Sequence, residues 1–162
     1  MKKILLTILC LALVPALYAN DKKLATQNEK VFLVQQAANA TAIHTDKNCY
    51  NLTLKNLTNE VLYFAPQPDQ LVGEMNNQKL VALWNAKKLT HNASIHAHYQ
   101  MKGQDKTINY IVALSQPRYD AAKNTLQYKA CINDPKVQNL ALPEKSSKLT
   151  LFIDQICVSF DC

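Results

Sequence analysis

Between residues 50 and 55 the chain alternates strictly. Tyr50, Leu52 and Leu54 are apolar, and Asn51, Thr53 and Lys55 are polar. A period of two with one apolar face marks a strand half-buried in a sheet. The pattern returns at Ile95, Ala97, Tyr99 and Met101, set against Ser94, His96, His98, Gln100 and Lys102. It recurs within Thr107–Ser115, where Ile108, Tyr110, Val112 and Leu114 share a face, and again at Leu126, Tyr128, Ala130 and Ile132. Leu149, Leu151 and Ile153 predict a final strand. Val31–Val34 and Val61–Phe64 are apolar throughout, as in covered strands, and residues 40–45 predict a further short one. Gly103-Gln104-Asp105 reads as the turn of a hairpin. Connections are expected at Asn56–Asn59, at Gln116–Asp120 continuing to Asn124, and at Pro143–Ser147, and Asp134-Pro135 stops a strand. Pro66 and Pro68 cannot donate ladder hydrogen bonds, which makes Ala65–Asp69 an exposed loop.

One segment changes period. Asn76 or Asn77 can cap a helix over Gln78–Lys88, in which Leu80, Leu83 and Trp84 fall at i, i+3 and i+4. Lys87 and Lys88 near its end suit the helix dipole. The phase of Trp84 makes it a core anchor rather than an exposed sugar-stacking ring. The pattern as a whole predicts a mainly β domain: an antiparallel sandwich or strongly bent sheet of about seven strands with one packed α-helix. A closed barrel is the alternative, and strand counting does not separate them.

The N-terminus adds an address. Lys2-Lys3 precede an apolar run from Ile4 to Leu17, and Ala19 offers a small residue before polar Asn20-Asp21-Lys22-Lys23. This reads as a secretory signal peptide over residues 1–19, its apolar run too short for a comfortable membrane span. Residues 20–30 read as a mobile arm and residues 31–162 as a single domain. Cys10 is a poor lipidation site, since bulky Leu9 precedes it within the apolar run. The expectation is an exported protein, periplasmic or extracellular, with no stable membrane anchor.

Charge narrows the partners. The chain carries +6, nearly all of it lysine, with Arg118 the single arginine. Base and phosphate recognition leans on the planar fork of Arg, so nucleic acid is not expected as a partner. Two glycines, Gly73 and Gly103, leave no glycine-rich loop to cradle a phosphate. No cofactor is expected.

Four cysteines remain beyond the signal segment: Cys49, Cys131, Cys157 and Cys162. An even count in an exported chain implies two disulfides. The short Cys157–Cys162 separation closes on itself, leaving Cys49 to pair with Cys131. Strand parity agrees, placing both on the polar side of their strands. C-x-x-C spacing is absent, which speaks against a redox dithiol.

His96 and His98 share a strand face, and two imidazoles projecting together can ligate one Cu or Zn ion. His44 or His91 could add a third donor. The plainer reading is two polar residues on a solvated face beside Ser94 and Gln100, and it is the one expected here. The Pro66 loop, backed by Tyr63 and Phe64, is a candidate binding edge. No local hydrolase signature occurs, although a spatially assembled triad leaves no such trace.

Several stretches, Val31–Gln35, Tyr50–Asn56, Leu80–Trp84, Val112–Pro117 with Tyr119-Asp120, and Phe152–Asp154, resemble a group of small secreted proteins from intracellular gammaproteobacteria. The resemblance covers most of the mature chain. It implies a secreted, cysteine-bridged, β-rich domain and brings no assigned activity or catalytic residue. In that group an acidic-arginine-proline turn stands where this chain reads Ala65-Pro66-Gln67-Pro68. The leading expectation is therefore an exported binding or interaction domain for an unknown protein or surface ligand. The alternatives are a small hydrolase with a spatially assembled site and a metal binder through His96 and His98.

Overall fold

The computed structural model describes residues 30–65, 72–88, 90–132 and 141–157. The signal segment, residues 20–29, the Pro66–Pro68 loop and Cys162 lie outside them, and so does the expected Cys157–Cys162 bridge.

In chain order the elements are β1 (Lys30–Asp46), β2 (Cys49–Leu57), β3 (Glu60–Phe64), β4 (Val72–Asn76), α1 (Asn77–Lys87), β5 (His91–Met101), β6 (Gln104–Asp120), β7 (Thr125–Ile132), β8 (Lys145–Ser146) and β9 (Lys148–Cys157). All strands pair antiparallel in one nine-stranded sheet. The mainly β, antiparallel architecture with one helix is thus as the pattern predicts, with nine strands in place of about seven. The sheet bends until it closes. β1 pairs with β2, β2 with β7, β7 with β6, β6 with β5, β5 with β9, and β9 with β1 again. The result is a six-stranded barrel, from which the β3–β4 hairpin extends alongside the start of β1.

β1 closes the ring because it is long enough to serve two neighbours on one side. Phe32–Val34 pair with β3 and Ala37–Asp46 with β2, while β9 runs along the other side of Lys30–Ala37. The two stretches expected as separate strands are this one strand. Its inward face is Val31, Leu33, Gln35 and Ala37, then Ala40 and Ala42. The alternation slips by one between Ala37 and Ala40. β2 slips at the same level, between Leu54 and Leu57, where Asn56 takes a positive φ of 51°. Two paired strands that change phase together bend together, which turns a flat ladder into a barrel wall.

The β5–β6 hairpin is present, but its turn lies earlier than Gly103–Asp105. Met101 pairs with Gln104, so the turn is the two residues Lys102 and Gly103, both with positive φ. Positive φ at both central positions gives the twist that matches a right-handed ladder, and glycine suits it. The expected connection at Gln116–Asp120 is instead strand. β6 carries Pro117 past a bulge at Gln116, φ 53°, where the register to β7 shifts between Ser115 and Arg118. A proline is tolerated in a strand at such a bulge, since no ladder donor is needed there. Within Pro143–Ser147, Lys145 and Ser146 form the short β8 against β1. β4 was not foreseen. It pairs with β3 so that Gly73 lies opposite Tyr63, and a side chain on Gly73 would collide with the Tyr63 ring and hydroxyl.

The helix closes one end of the barrel. Asn76 caps it, its side chain accepting from the Lys79 amide at 2.8 Å, and Lys88 ends it with φ 50°. Leu80, Leu83 and Trp84 are buried as expected. The Trp84 ring meets Tyr128 on the inner face of β7 at 5.4 Å and His91 at the start of β5 at 4.7 Å. A buried polar chain ties the helix to the wall. The Tyr128 hydroxyl donates to Gln35 Oε1 at 3.0 Å, and Gln35 Nε2 donates to Asn77 Oδ1 at 2.7 Å. Asn77 Nδ2 then donates to the Thr58 carbonyl at 3.0 Å.

At the opposite end Cys49 and Cys131, directly paired in register between β2 and β7, form a disulfide 82 residues apart in sequence. The pairing inferred from strand parity is therefore present.

Candidate functional site

Among the described residues, the barrel interior is a packed core. Side chains fill it, and the space among Ala40, Ala97, Ile108 and Leu149 amounts to about 10 Å³. That is at most the room of one water. Beyond it, toward the disulfide end, a hollow of about 630 Å³ is lined by Ala42, Ile43, His44, Tyr50, Ala141, Leu142 and Glu144. His44 there turns its Nε2 to the Lys47 carbonyl at 2.6 Å and sets its ring edge-on to Tyr50. Among the described residues, no group of three or more His, Cys, Asp or Glu side chains converges to hold a metal.

The outer wall carries the chemistry, in two adjoining areas. The first is apolar. On β1, residues 32 and 34 point outward; on β3, Leu62 and Phe64; on β4, Val72; on β9, Phe152. Register places them side by side. Val34 lies between Phe152 and Leu62, and Phe64 lies between Phe32 and Val72. The Phe32 and Phe64 rings stack at 5.5 Å with 23° between planes. Val72 is 76% exposed, Phe152 49% and Leu62 46%. Ile111 on β6, 66% exposed, continues the row beyond Ser94. Single exposed apolar residues are ordinary, but a contiguous set on one face is not. The strip ends at β4, which among the described residues pairs only with β3. Glu74 and Asn76 stand on the same exposed face of that edge strand.

The second area is the histidine pair on β5. His96 and His98 do share the outward face, with ring centroids 5.0 Å apart and Nε2 atoms 3.3 Å apart. β6 supports each ring from directly across the ladder. Asn109, opposite His96, brings Oδ1 to 2.6 Å from the His96 Nδ1. Thr107, opposite His98, brings its hydroxyl to 3.3 Å from the His98 Nδ1. On the other side β9 sets Thr150 beside His96 and Lys148 beside His98. The other two histidines do not join them. His44 is at the far hollow, and His91 is half-buried against Trp84. Burial holds the His91 pKa below its ordinary value, partly opposed by the backbone carbonyl and charge of Asp154.

Asn109 and Thr107 are absent from the sequence reading, and so are Val72 and Phe152 as surface residues. Their role depends on which strands lie side by side. Comparison of the chain with protein-family models, with curated proteins and with solved structures gives no match.

Proposed function

We propose that this chain is an exported, disulfide-bridged binding domain that meets a partner protein through the outer wall of β9, β1, β3 and β4. The observation that carries the reading is the contiguous apolar strip from Phe152 through Val34 and Phe32 to Leu62, Phe64 and Val72. The strip runs into an edge strand, β4. The partner class that fits is an extended segment with alternating apolar side chains. Its backbone adds to β4 while its side chains extend the apolar row beyond Val72. The filled barrel interior supports surface contact over enclosure of a small ligand. The leader-like residues 1–19 and the disulfide both fit an oxidising compartment outside the cytoplasm.

The test is capture from the native compartment by cross-linking, with the partner identified by mass. Leu62→Lys and Phe64→Lys place charge on exposed positions, so the melting temperature should hold while capture is lost. Equal capture by the folded variants would sink the assignment of this face. N-terminal sequencing of the exported form should begin near Asn20.

A further inference from the structure

The histidine pair does more than share a strand face, and its geometry points to a metal site. We propose that the Nε2 atoms of His96 and His98 chelate one divalent transition-metal ion of imidazole preference, Cu(II) most tightly and Zn(II) next. This is independent of the docking strip.

Three observations converge on it. The first is spacing. Two metal–nitrogen bonds of about 2.0–2.1 Å at a tetrahedral angle place their nitrogens about 3.3 Å apart. The two Nε2 atoms stand 3.3 Å apart without any movement. The second is the tautomer. Asn109 Oδ1 only accepts, so the His96 Nδ1 carries the proton and its Nε2 presents a lone pair toward His98. In the metal-free protein that lone pair is met by the His98 Nε2 proton, and the Thr107 hydroxyl donates to the His98 Nδ1. The third is the Thr107 hydroxyl itself, which can reverse. When a cation binds both Nε2 lone pairs from beside the line that joins them, the His98 Nε2 proton is displaced, His98 carries its proton on Nδ1 instead, and Thr107 accepts it. Both rings remain neutral and no proton is lost. Outer partners that orient a ligating imidazole and fix its tautomer are a regular part of metal sites, and here both sit on β6 opposite their histidines.

The site supplies two ligands, and its exposed side leaves the remaining positions to water. Imidazole donors favour Cu and Zn over Mg or Ca, and the divalent affinity order puts Cu(II) ahead of Zn(II). Lys148, next to His98 in register, opposes the added positive charge, so its removal should tighten binding.

Calorimetry on the disulfide-intact protein with Cu(II), then Zn(II), at neutral pH tests this. A saturable one-to-one isotherm is expected, with Cu(II) the tighter. His96→Ala and His98→Ala should each weaken it by at least about tenfold, and Asn109→Ala by about tenfold through loss of ring orientation. His44→Ala should leave it unchanged. The histidine substitutions lie on the outer wall, so unchanged melting temperatures serve as the folding control. Cu(II) should also broaden the His96 and His98 ring resonances before those of His44. Absence of a saturable one-to-one isotherm would overturn the proposal, as would binding that survives the His96→Ala, His98→Ala double variant.

Discussion

At the helix end the ring encloses Leu33, Leu54, Leu126 and Tyr128, and Trp84 of α1 seats against them. At the disulfide end alanines take part of that volume: Ala40, Ala42, Ala97 and Ala130 stand among Leu52, Ile108 and Leu149, with Leu142 laid over them. A large apolar side chain contributes about 1.5–3 kcal/mol on burial, and an alanine far less. The helix end can therefore be held by packing and one buried polar chain. The other end gains less from burial, and there a covalent bond joins β2 to β7. The same ladder is secured by side-chain mass at one end and by a reduced unfolded-state entropy at the other.

The first way to break the contrast is Trp84→Ala. It empties the contact with Tyr128 and His91 and should destabilise by about 3–5 kcal/mol, read from the denaturant midpoint. Native Trp fluorescence should be blue-shifted and poorly quenched by iodide. Next comes the pair Cys49→Ser with Cys131→Ser, which reopens a loop of 82 residues. A loss of about 2–5 kcal/mol is expected. Addition of reductant should destabilise the parent protein more than the serine variant. If both ends relied on packing alone, the serine variant would match the parent under oxidising conditions.

Gln35→Leu is a finer probe of the helix end. It leaves the Tyr128 hydroxyl and the Asn77 amide oxygen without their partners in a dry interior. A cost of about 1–3 kcal/mol should follow. The smallest effect is in pH. His91 is neutral in the fold, its pKa held below 6.5 by burial. The unfolded chain then binds more protons as acid is added, so stability is full above about pH 6.5 and falls below it. His91→Gln should flatten the fall below about pH 6.5, measured as melting temperature against pH. An equally steep fall in the variant would remove His91 from the helix end's account.

Strand faces were legible in the sequence wherever alternation is strict. Tyr50–Lys55, Ser94–Tyr99 and Leu126–Ile132 have the faces their periods predict, while Met101, set on the apolar face by its period, is 44% exposed and Lys102 lies in the turn. What alternation does not carry is phase change and register. Ala37 and Ala40 both face inward across a slipped alternation, so β1 looked like two strands. β4, with Gly73 and Glu74 in five residues, lacks the composition of a strand and is formed by pairing with β3, where Tyr63 lies over Gly73. The histidine face was likewise readable from the i, i+2 spacing, but its supports were not. A turn over Gly103–Asp105 would set His96 opposite Val112, whereas the two-residue turn at Lys102-Gly103 sets it opposite Asn109. The apolar strip depends on β1 lying between β9 and β3, a neighbourhood no local window contains.

Among the described strands β1 comes first in the chain, and it pairs along one side with β9, which comes last. A ring whose first and last members are neighbours cannot shut until β9 is at hand. In a chain delivered N-terminus first, β1 and β2 can pair early, since only Lys47 and Asn48 separate them. Cys49 must then wait for Cys131, and the Val31–Leu33 side of β1 must wait longer still, for Ile153 and Ile156. Such long-range pairings slow folding because the chain's freedom is lost before the contacts repay it. Formation of the Cys49–Cys131 bond thus records that β7 has reached β2 and says nothing of the last seam, which closes only with β9.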